Sequence, residues 1–235
     1  MSLILCIETG TNVCSAALTR DGQLLSLREG TQGRDHARNL GVYVDELLRG
    51  AGVSPDELSA VAVGKGPGSY TGLRIGVSLA KGMCYALGIP LIAVDSLRSL
   101  AEVALEDYDA GILGIDDMSG ALLCPMIDAR RMEVYAEVFD PSLRALTPIE
   151  AVVVDGDTFS EFISRGEFVI FGDGAAKCVE VLPPGVRYVD VAASARGLVR
   201  TATKAFENKD FEDAAYFEPF YLKDFVVTTA KKKVL

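Results

Sequence analysis

Two acidic residues follow short apolar runs that we predict to be strands, and a carboxylate there can hold a hydrated magnesium ion. Glu8 ends the first run and precedes Thr9 and Gly10, whereas Asp128 ends a later run and precedes Arg130. A short turn after a strand also exposes backbone N–H groups to an anion. These five residues form a candidate nucleotide cleft. The simpler alternative is that both segments are plain turns that leave their strands.

Two further segments resemble anion sites only in part. The loop from Gly64 to Ser69 is rich in glycine, but it lacks the spacing of a phosphate loop, and Pro67 removes one N–H donor. A rigid turn that aims the next helix is the favoured interpretation. Arg130 and Arg131 would bind carboxylate or phosphate if they face a cleft, and they would equally suit a solvated hairpin.

The sequence lacks the residue patterns that are usual for a metal site or a catalytic nucleophile. His36 is the only histidine, and its neighbour one helical turn on is Leu40, so no pair of imidazoles shares a helix face. The five cysteines are far apart and contain no C-x-x-C pair, which argues against zinc and disulfides. We predict no metal site and no catalytic triad.

A helix predicted from Tyr70 to Leu87 carries small residues at every fourth position. Gly72, Gly76, Ala80 and Cys84 form this stripe, and each glycine in a helix interior costs about 1 kcal/mol relative to alanine. A smooth stripe lets another element approach closely. That element is either the protein's own sheet or a helix of a partner.

The surrounding elements repeat. An antiparallel hairpin feeds alternating helices and strands, and the pattern restarts when the chain is shifted by 120 residues without gaps. We predict an α/β, actin-like fold of the sugar kinase, Hsp70 and actin type, in which two duplicated lobes each contain a mixed sheet with helices. The lobes are assigned to residues 1–105 and 106–235, and the last helix is allowed to pack back on the first lobe.

Composition excludes several classes of protein. The chain has 235 residues and a formal net charge of −10, so broad nucleic-acid binding by the isolated chain is not expected. The hydrophobic content of 49% is that of a globular protein. No secretion signal or membrane span is recognised, which predicts a cytoplasmic location. The basic run Lys231–Lys233 is interpreted as a solvated tail.

Several motifs together resemble the bacterial TsaB family, also called glycoprotease-like or M22. They are Ile7-Glu8-Thr9, Arg34-Asp35-His36, the block GPGSYTGLRIG from Gly66 to Gly76, Asp128-Ala129-Arg130-Arg131 with Glu133-Val134-Tyr135, and Pro219 with Tyr221-Leu222-Lys223. The resemblance covers nearly the whole chain. The chain departs from the family at Glu8, where aspartate is usual. It also lacks the H-x-x-x-H metal pair of the paralogue TsaD, because His36 and Leu40 stand there.

The resemblance implies a non-catalytic scaffold or activator that binds TsaD, the enzyme that transfers threonylcarbamoyl to adenosine 37 of tRNA (t6A formation). It implies a TsaE homologue bound through the complex, tRNA bound only through the complex, and a homodimer of the isolated chain. No cofactor is expected on the isolated protein, since ATP and metal belong to the partner complex. An ATP-dependent kinase-like or a peptidase-like enzyme of the same superfamily remains the alternative.

The partner-binding surface implied by the resemblance lies on two helices, the one from His36 to Arg49 and the one from Tyr70 to Leu87. Its candidate residues are His36, Leu40, Val44, Leu47, Tyr70, Leu73, Arg74, Gly76, Val77, Ala80, Met83 and Cys84.

Overall fold

The computed structural model describes residues 2–31 and 35–223. Arg34 and Lys231–Lys233, both used in the sequence interpretation, lie outside these ranges. Ten strands and five α-helices are assigned in the described residues. The strands are β1 (Leu3–Glu8), β2 (Cys14–Arg20), β3 (Gln23–Gly30), β4 (Ala60–Gly66), β5 (Leu91–Asp95), β6 (Leu122–Asp128), β7 (Glu133–Ala136), β8 (Glu150–Val153), β9 (Phe168–Phe171) and β10 (Val186–Tyr188). The helices are α1 (His36–Ala51), α2 (Tyr70–Leu87), α3 (Ser96–Asp109), α4 (Ser160–Ile163) and α5 (Val199–Asn208).

The first sheet has the strand order β3-β2-β1-β4-β5. Its first three strands form an antiparallel meander, and a tight turn in which Asp21 and Gly22 both have positive φ joins β2 to β3. Strands β4 and β5 then add in parallel to β1, each after a helix. Helix crossovers of this kind are what parallel strand pairs require.

The second sheet repeats that topology with the order β10-β9-β6-β7-β8. Strand β6 is antiparallel to β7 and parallel to β9, as β1 is to β2 and β4. The two-lobed α/β fold class predicted from the sequence is therefore confirmed. The gapless alignment is wrong at the hairpin, because Glu8 pairs with Ser15 whereas Asp128 pairs with Val134, so the second link is one residue shorter.

The packing of the helices interleaves the lobes. Helices α1 and α2 cover one face of the first sheet, and α5 covers the other face with Val199 and Ala202. Helix α3 packs on the second sheet through Leu97 and Leu100. It extends four residues beyond the predicted end at Leu105, so the division between residues 105 and 106 falls inside a helix. Among the described residues, no helix is both long and apolar enough to cross a membrane.

Candidate functional site

The strand-end acid of the first lobe is completely buried. Glu8 Oε1 accepts a hydrogen bond from the Gly10 amide at 2.7 Å, and Oε2 accepts one from Ser96 Oγ at 2.9 Å. Burial raises the pKa of Glu8, and the hydrogen bonds from Gly10 and Ser96 oppose that rise only in part. Gly64 leaves the space that the carboxylate fills, because a Cβ at this position would overlap it.

The loop after β1 is joined to the start of α2 instead of opening to an anion. Thr9 Oγ1 donates to the Gly72 carbonyl at 2.8 Å, and the Ser69 amide donates to the Gly10 carbonyl at 2.7 Å. A Cβ at Gly68 would lie less than 3.0 Å from the Gly10 backbone, so glycine is required for this approach. The glycine-rich loop therefore holds the helix onto the first strand, as the rigid-turn interpretation predicted.

The strand-end acid of the second lobe is exposed and already has partners. The Lys177 ammonium forms an ion pair with the Asp128 carboxylate and also donates to the Glu133 carbonyl at 2.8 Å. The Asp128 amide donates to Asp173 Oδ1 at 2.9 Å. Arg130 lies on the exposed turn that follows.

These contacts decide whether the candidate cleft suits a magnesium–nucleotide. A metal needs carboxylate oxygens that point into open space, and both oxygens of Glu8 are used within the protein. The carboxylate of Asp128 is neutralised by Lys177. The residues present therefore do not fit a metal-bound nucleotide in the manner that the fold class suggests.

A charged cluster that sequence reasoning missed lies where the lobes meet. Lys65 Nζ and Asp95 Oδ1 form an ion pair of 3.2 Å at the ends of β4 and β5. Glu137 approaches them from the second lobe and is only 9% exposed. Burial, with the negative charge of Asp95, raises the pKa of Glu137 to about 7, against the opposing effects of Arg98 and Lys65. In the sequence, Glu137 is simply a polar residue beside a strand, so nothing there signals its burial.

The stripe of small residues on α2 faces the protein's own sheet. A Cβ on Gly76 would lie less than 3.0 Å from Thr9 Oγ1, and a Cβ on Gly72 would meet the Thr9 carbonyl. Ala80 and Cys84 continue the stripe into the buried core of the first lobe. The assignment of Gly76, Ala80 and Cys84 to a partner surface is therefore wrong, and close packing on β1 is the physical reason for the glycines.

Most of the other predicted partner residues are also part of the core. His36 is buried and its Nε2 lies 3.1 Å from the Thr11 carbonyl, so its ring is held within the lobe. Asp35 begins α1, but its side chain makes no capping hydrogen bond. The remaining members buried against the first sheet or beside Gly66 are Leu40, Val44, Leu47, Leu73 and Val77. A partner surface on these side chains is excluded because they already fill the core.

Three predicted residues do reach the surface of α2, namely Tyr70, Arg74 and Met83. Arg74 Nε donates to the Tyr221 hydroxyl at 3.1 Å, and its guanidinium lies 4.0 Å from the centre of the Tyr70 ring. The Tyr221 and Tyr70 rings also pack together, with centroids 4.8 Å apart and planes tilted by 39°. The segment around Tyr221 thus docks on the start of α2.

The open faces of α1 and α2 carry apolar residues that the sequence interpretation did not select. Val42 on α1 is 51% exposed and Tyr85 on α2 is 91% exposed. Both were missed because each lies outside the regular apolar pattern that marks the buried side of its helix. Single apolar residues on the polar side of a helix are common, so no sequence signal distinguishes these two.

Metal-ligating and thiol groups show no assembled site in the part of the chain that the structure describes. No group of three or more histidine, cysteine, aspartate or glutamate side chains there could hold a metal. All five cysteines are buried and unpaired. Burial raises the pKa of Cys6 to about 12 and that of Cys14 and Cys84 to about 11, so these thiols stay protonated and unreactive at neutral pH.

Comparison with known proteins identifies the class. A solved structure described as YeaZ from Pseudomonas aeruginosa covers 94% of this chain and 100% of its own, with a TM-score of 0.78 and 28% identity. TsaB of Haemophilus influenzae is 33% identical over 132 residues, which are 56% of this chain and 51% of that protein. An uncharacterised protein of Mycobacterium tuberculosis is 32% identical over 159 residues, covering 67% of this chain and 68% of the relative.

The family model described as TsaD, tRNA N6-adenosine threonylcarbamoyltransferase, matches residues 30–194. The chain belongs to this family of TsaD-like proteins, and several of the relatives that it resembles carry the TsaB name. The chain spans about half the length of the curated TsaB relatives that it matches.

Proposed function

We propose that this protein works in the biosynthesis of threonylcarbamoyladenosine on tRNA, as a non-catalytic subunit that binds and activates a TsaD homologue. The observation that carries the proposal is the likeness to proteins named tRNA threonylcarbamoyladenosine biosynthesis protein TsaB. In this proposal the chain binds tRNA only within the complex, meets a TsaE homologue there, forms a homodimer when alone, and resides in the cytoplasm.

The lack of catalysis is supported by the state of the strand-end acids. Glu8 is buried with both oxygens accepting hydrogen bonds, and Asp128 is paired with Lys177. A kinase of this fold class would need such acids free for a metal–nucleotide, and a peptidase would need an activated nucleophile or metal. ATP and metal then belong to the partner complex. A calorimetric titration of the isolated chain with Mg-ATP tests this, because tight binding would favour the kinase-like alternative.

The surface offered to the partner is the open side of α1 and α2. These helices lie on the same face of the first sheet, and their buried residues are committed to the core. Val42 and Tyr85 provide the apolar contacts of that open side, since a large aromatic ring is a strong anchor at protein interfaces.

Co-purification with a TsaD homologue tests the proposal directly. We expect Val42→Asp together with Tyr85→Asp to abolish both complex formation and self-association, because charges would be buried at the contact. Val153→Asp is the matched control, as Val153 is also an exposed apolar residue, at 67%, but lies on β8 of the other lobe. Normal binding by the double variant would exclude this surface, and failure of the unaltered chain to bind would exclude the function.

A further inference from the structure

Four basic side chains from three separate segments meet around the turn between β6 and β7. We call this group the basic turn, and its members are Arg130, Arg131, Lys177 and Lys223. Lys177 pairs with Asp128. Lys223, which is far from this turn in the sequence, pairs with Glu133. The Lys223 ammonium also lies 5.9 Å from the centre of the Tyr135 ring, so an aromatic surface adjoins the charges.

The two arginines of this turn are left without a salt-bridge partner. The nearby acids Asp128 and Glu133 each take one lysine, and Asp173 accepts from the Asp128 amide. Within residues 2–31 and 35–223, neither guanidinium forms an ion pair or a hydrogen bond, although both side chains are exposed. The four cations around the turn face three carboxylates, those of Asp128, Glu133 and Asp173, so a positive excess remains on this exposed turn in a chain with a net charge of −10.

The backbone of the turn is unfavourable for arginine. Arg130 has a φ of 71° and Arg131 a φ of 46°, and both values fall in the left-handed region. Residues with a Cβ lose roughly 1 kcal/mol or more there, whereas glycine or asparagine would form such a turn at lower cost. Turn formation alone therefore does not account for arginine at either position, and strain of this kind often marks a contact site.

We infer that the basic turn contacts the phosphate backbone of the RNA substrate within the assembled complex. The inference rests on the proposed function, which brings a tRNA to the complex, and it assigns one RNA-binding element to this chain. The arginine fork binds phosphate oxygens in pairs, and the Tyr135 ring beside Lys223 offers a face on which an unpaired base can stack. Because Lys177 and Lys223 are already neutralised, Arg130 and Arg131 carry most of the effect.

The test uses the complete complex of this chain with its TsaD homologue and an unmodified tRNA transcript. The variant is Arg130→Gln with Arg131→Gln, and binding is measured over a series of salt concentrations. Loss of two phosphate contacts should make the negative slope of log K against log salt concentration shallower by about 1.5, and it should weaken tRNA binding roughly tenfold at low salt. The control is Arg144→Gln with Arg165→Gln, which removes the same charge from exposed, ion-paired arginines of the same lobe.

A second variant, Arg130→Asn with Arg131→Asn, keeps the turn folded because asparagine tolerates the left-handed region, and it should show the same loss. Unchanged affinity and slope in an assembled complex would overturn the inference and leave the proposed function standing. The inference would also be overturned if the double variant lost binding to TsaD but kept normal affinity for tRNA. In that case the basic turn would contact an acidic surface of the TsaD protein. If the unaltered chain forms no complex, both proposals fail.

Discussion

The packing of Gly76 against the first strand predicts opposite effects for the same substitution at two glycines of α2. Gly76→Ala places a methyl group less than 3.0 Å from Thr9 Oγ1, whereas Gly82→Ala meets no atom within 4 Å. Both changes gain the helix propensity of alanine, about 1 kcal/mol. Only Gly76→Ala also strains a buried contact.

The size of the Gly76 effect follows from its surroundings. Overpacking of a tight core costs about 1–3 kcal/mol, and displacement of the Thr9 hydroxyl weakens its bond to the Gly72 carbonyl, worth about 1 kcal/mol. After the gain in propensity, Gly76→Ala should lower the free energy of unfolding by about 1–3 kcal/mol. For a chain of this size that is a fall in Tm of roughly 2–12 °C. Gly82→Ala should raise Tm by about 2–4 °C.

Thermal melts of the two single variants provide the assay, and a double-mutant cycle with Thr9→Ala locates the strain. Removal of Oγ1 makes room for the new methyl group, so the two substitutions should couple by about 1 kcal/mol or more. If Gly76→Ala melts at or above the temperature of the unaltered protein, the stripe does not pack on β1. Loss of self-association in such a stable variant would return the stripe to a partner surface.

Three other predictions concern single side chains. Because the pKa of Glu137 is raised to about 7 from 4.5, the folded state binds its proton more tightly than the unfolded chain does. The resulting stabilisation is complete below pH 4.5 and is lost as the pH rises through 7. In denaturant titrations at pH 8, the free energy of unfolding of Glu137→Gln should therefore exceed that of the unaltered protein by up to about 3 kcal/mol. At pH 4 the two proteins should have almost the same free energy of unfolding. Glu8→Ala should cost about 2–4 kcal/mol in the same titrations, because the Gly10 amide and the Ser96 hydroxyl lose their acceptor. The Ser194 hydroxyl accepts a hydrogen bond from the Arg196 amide and so caps the helical turn that begins there. Ser194→Ala should therefore lower the free energy of unfolding by about 1 kcal/mol in thermal melts, and an unchanged Tm would contradict that role.

Elements with strong end signals were predictable from the sequence. The bounds of α2 agree with the prediction because Ser69 caps the first turn by accepting from the Gly72 amide, and Gly88 ends the helix in a left-handed conformation. Strand β1 likewise ends at Glu8, where the apolar run stops. Local chemistry decides these boundaries, so a single sequence contains the information.

Features that depend on distant contacts were not predictable. Strand β10 has three residues and exists only because β9 lies beside it in parallel. A smooth stripe on α2 suits the protein's own sheet and a partner helix equally well. The sequence alone therefore did not decide which of the two Gly76 faces. The burial of Glu137 arises where the two lobes meet, which neither segment reveals alone.

Contacts at the strand ends join segments that are far apart in the sequence. The acid of the first lobe is held by Ser96 at the start of α3, a helix that packs on the second sheet. Lys223, at the end of a segment docked on the first lobe, pairs with Glu133 in the second lobe. These contacts link the first sheet to a helix that packs on the second sheet, and the second sheet to a segment that docks on α2. The strand-end acids Glu8 and Asp128 are therefore engaged by Ser96 and Lys177 of the same chain.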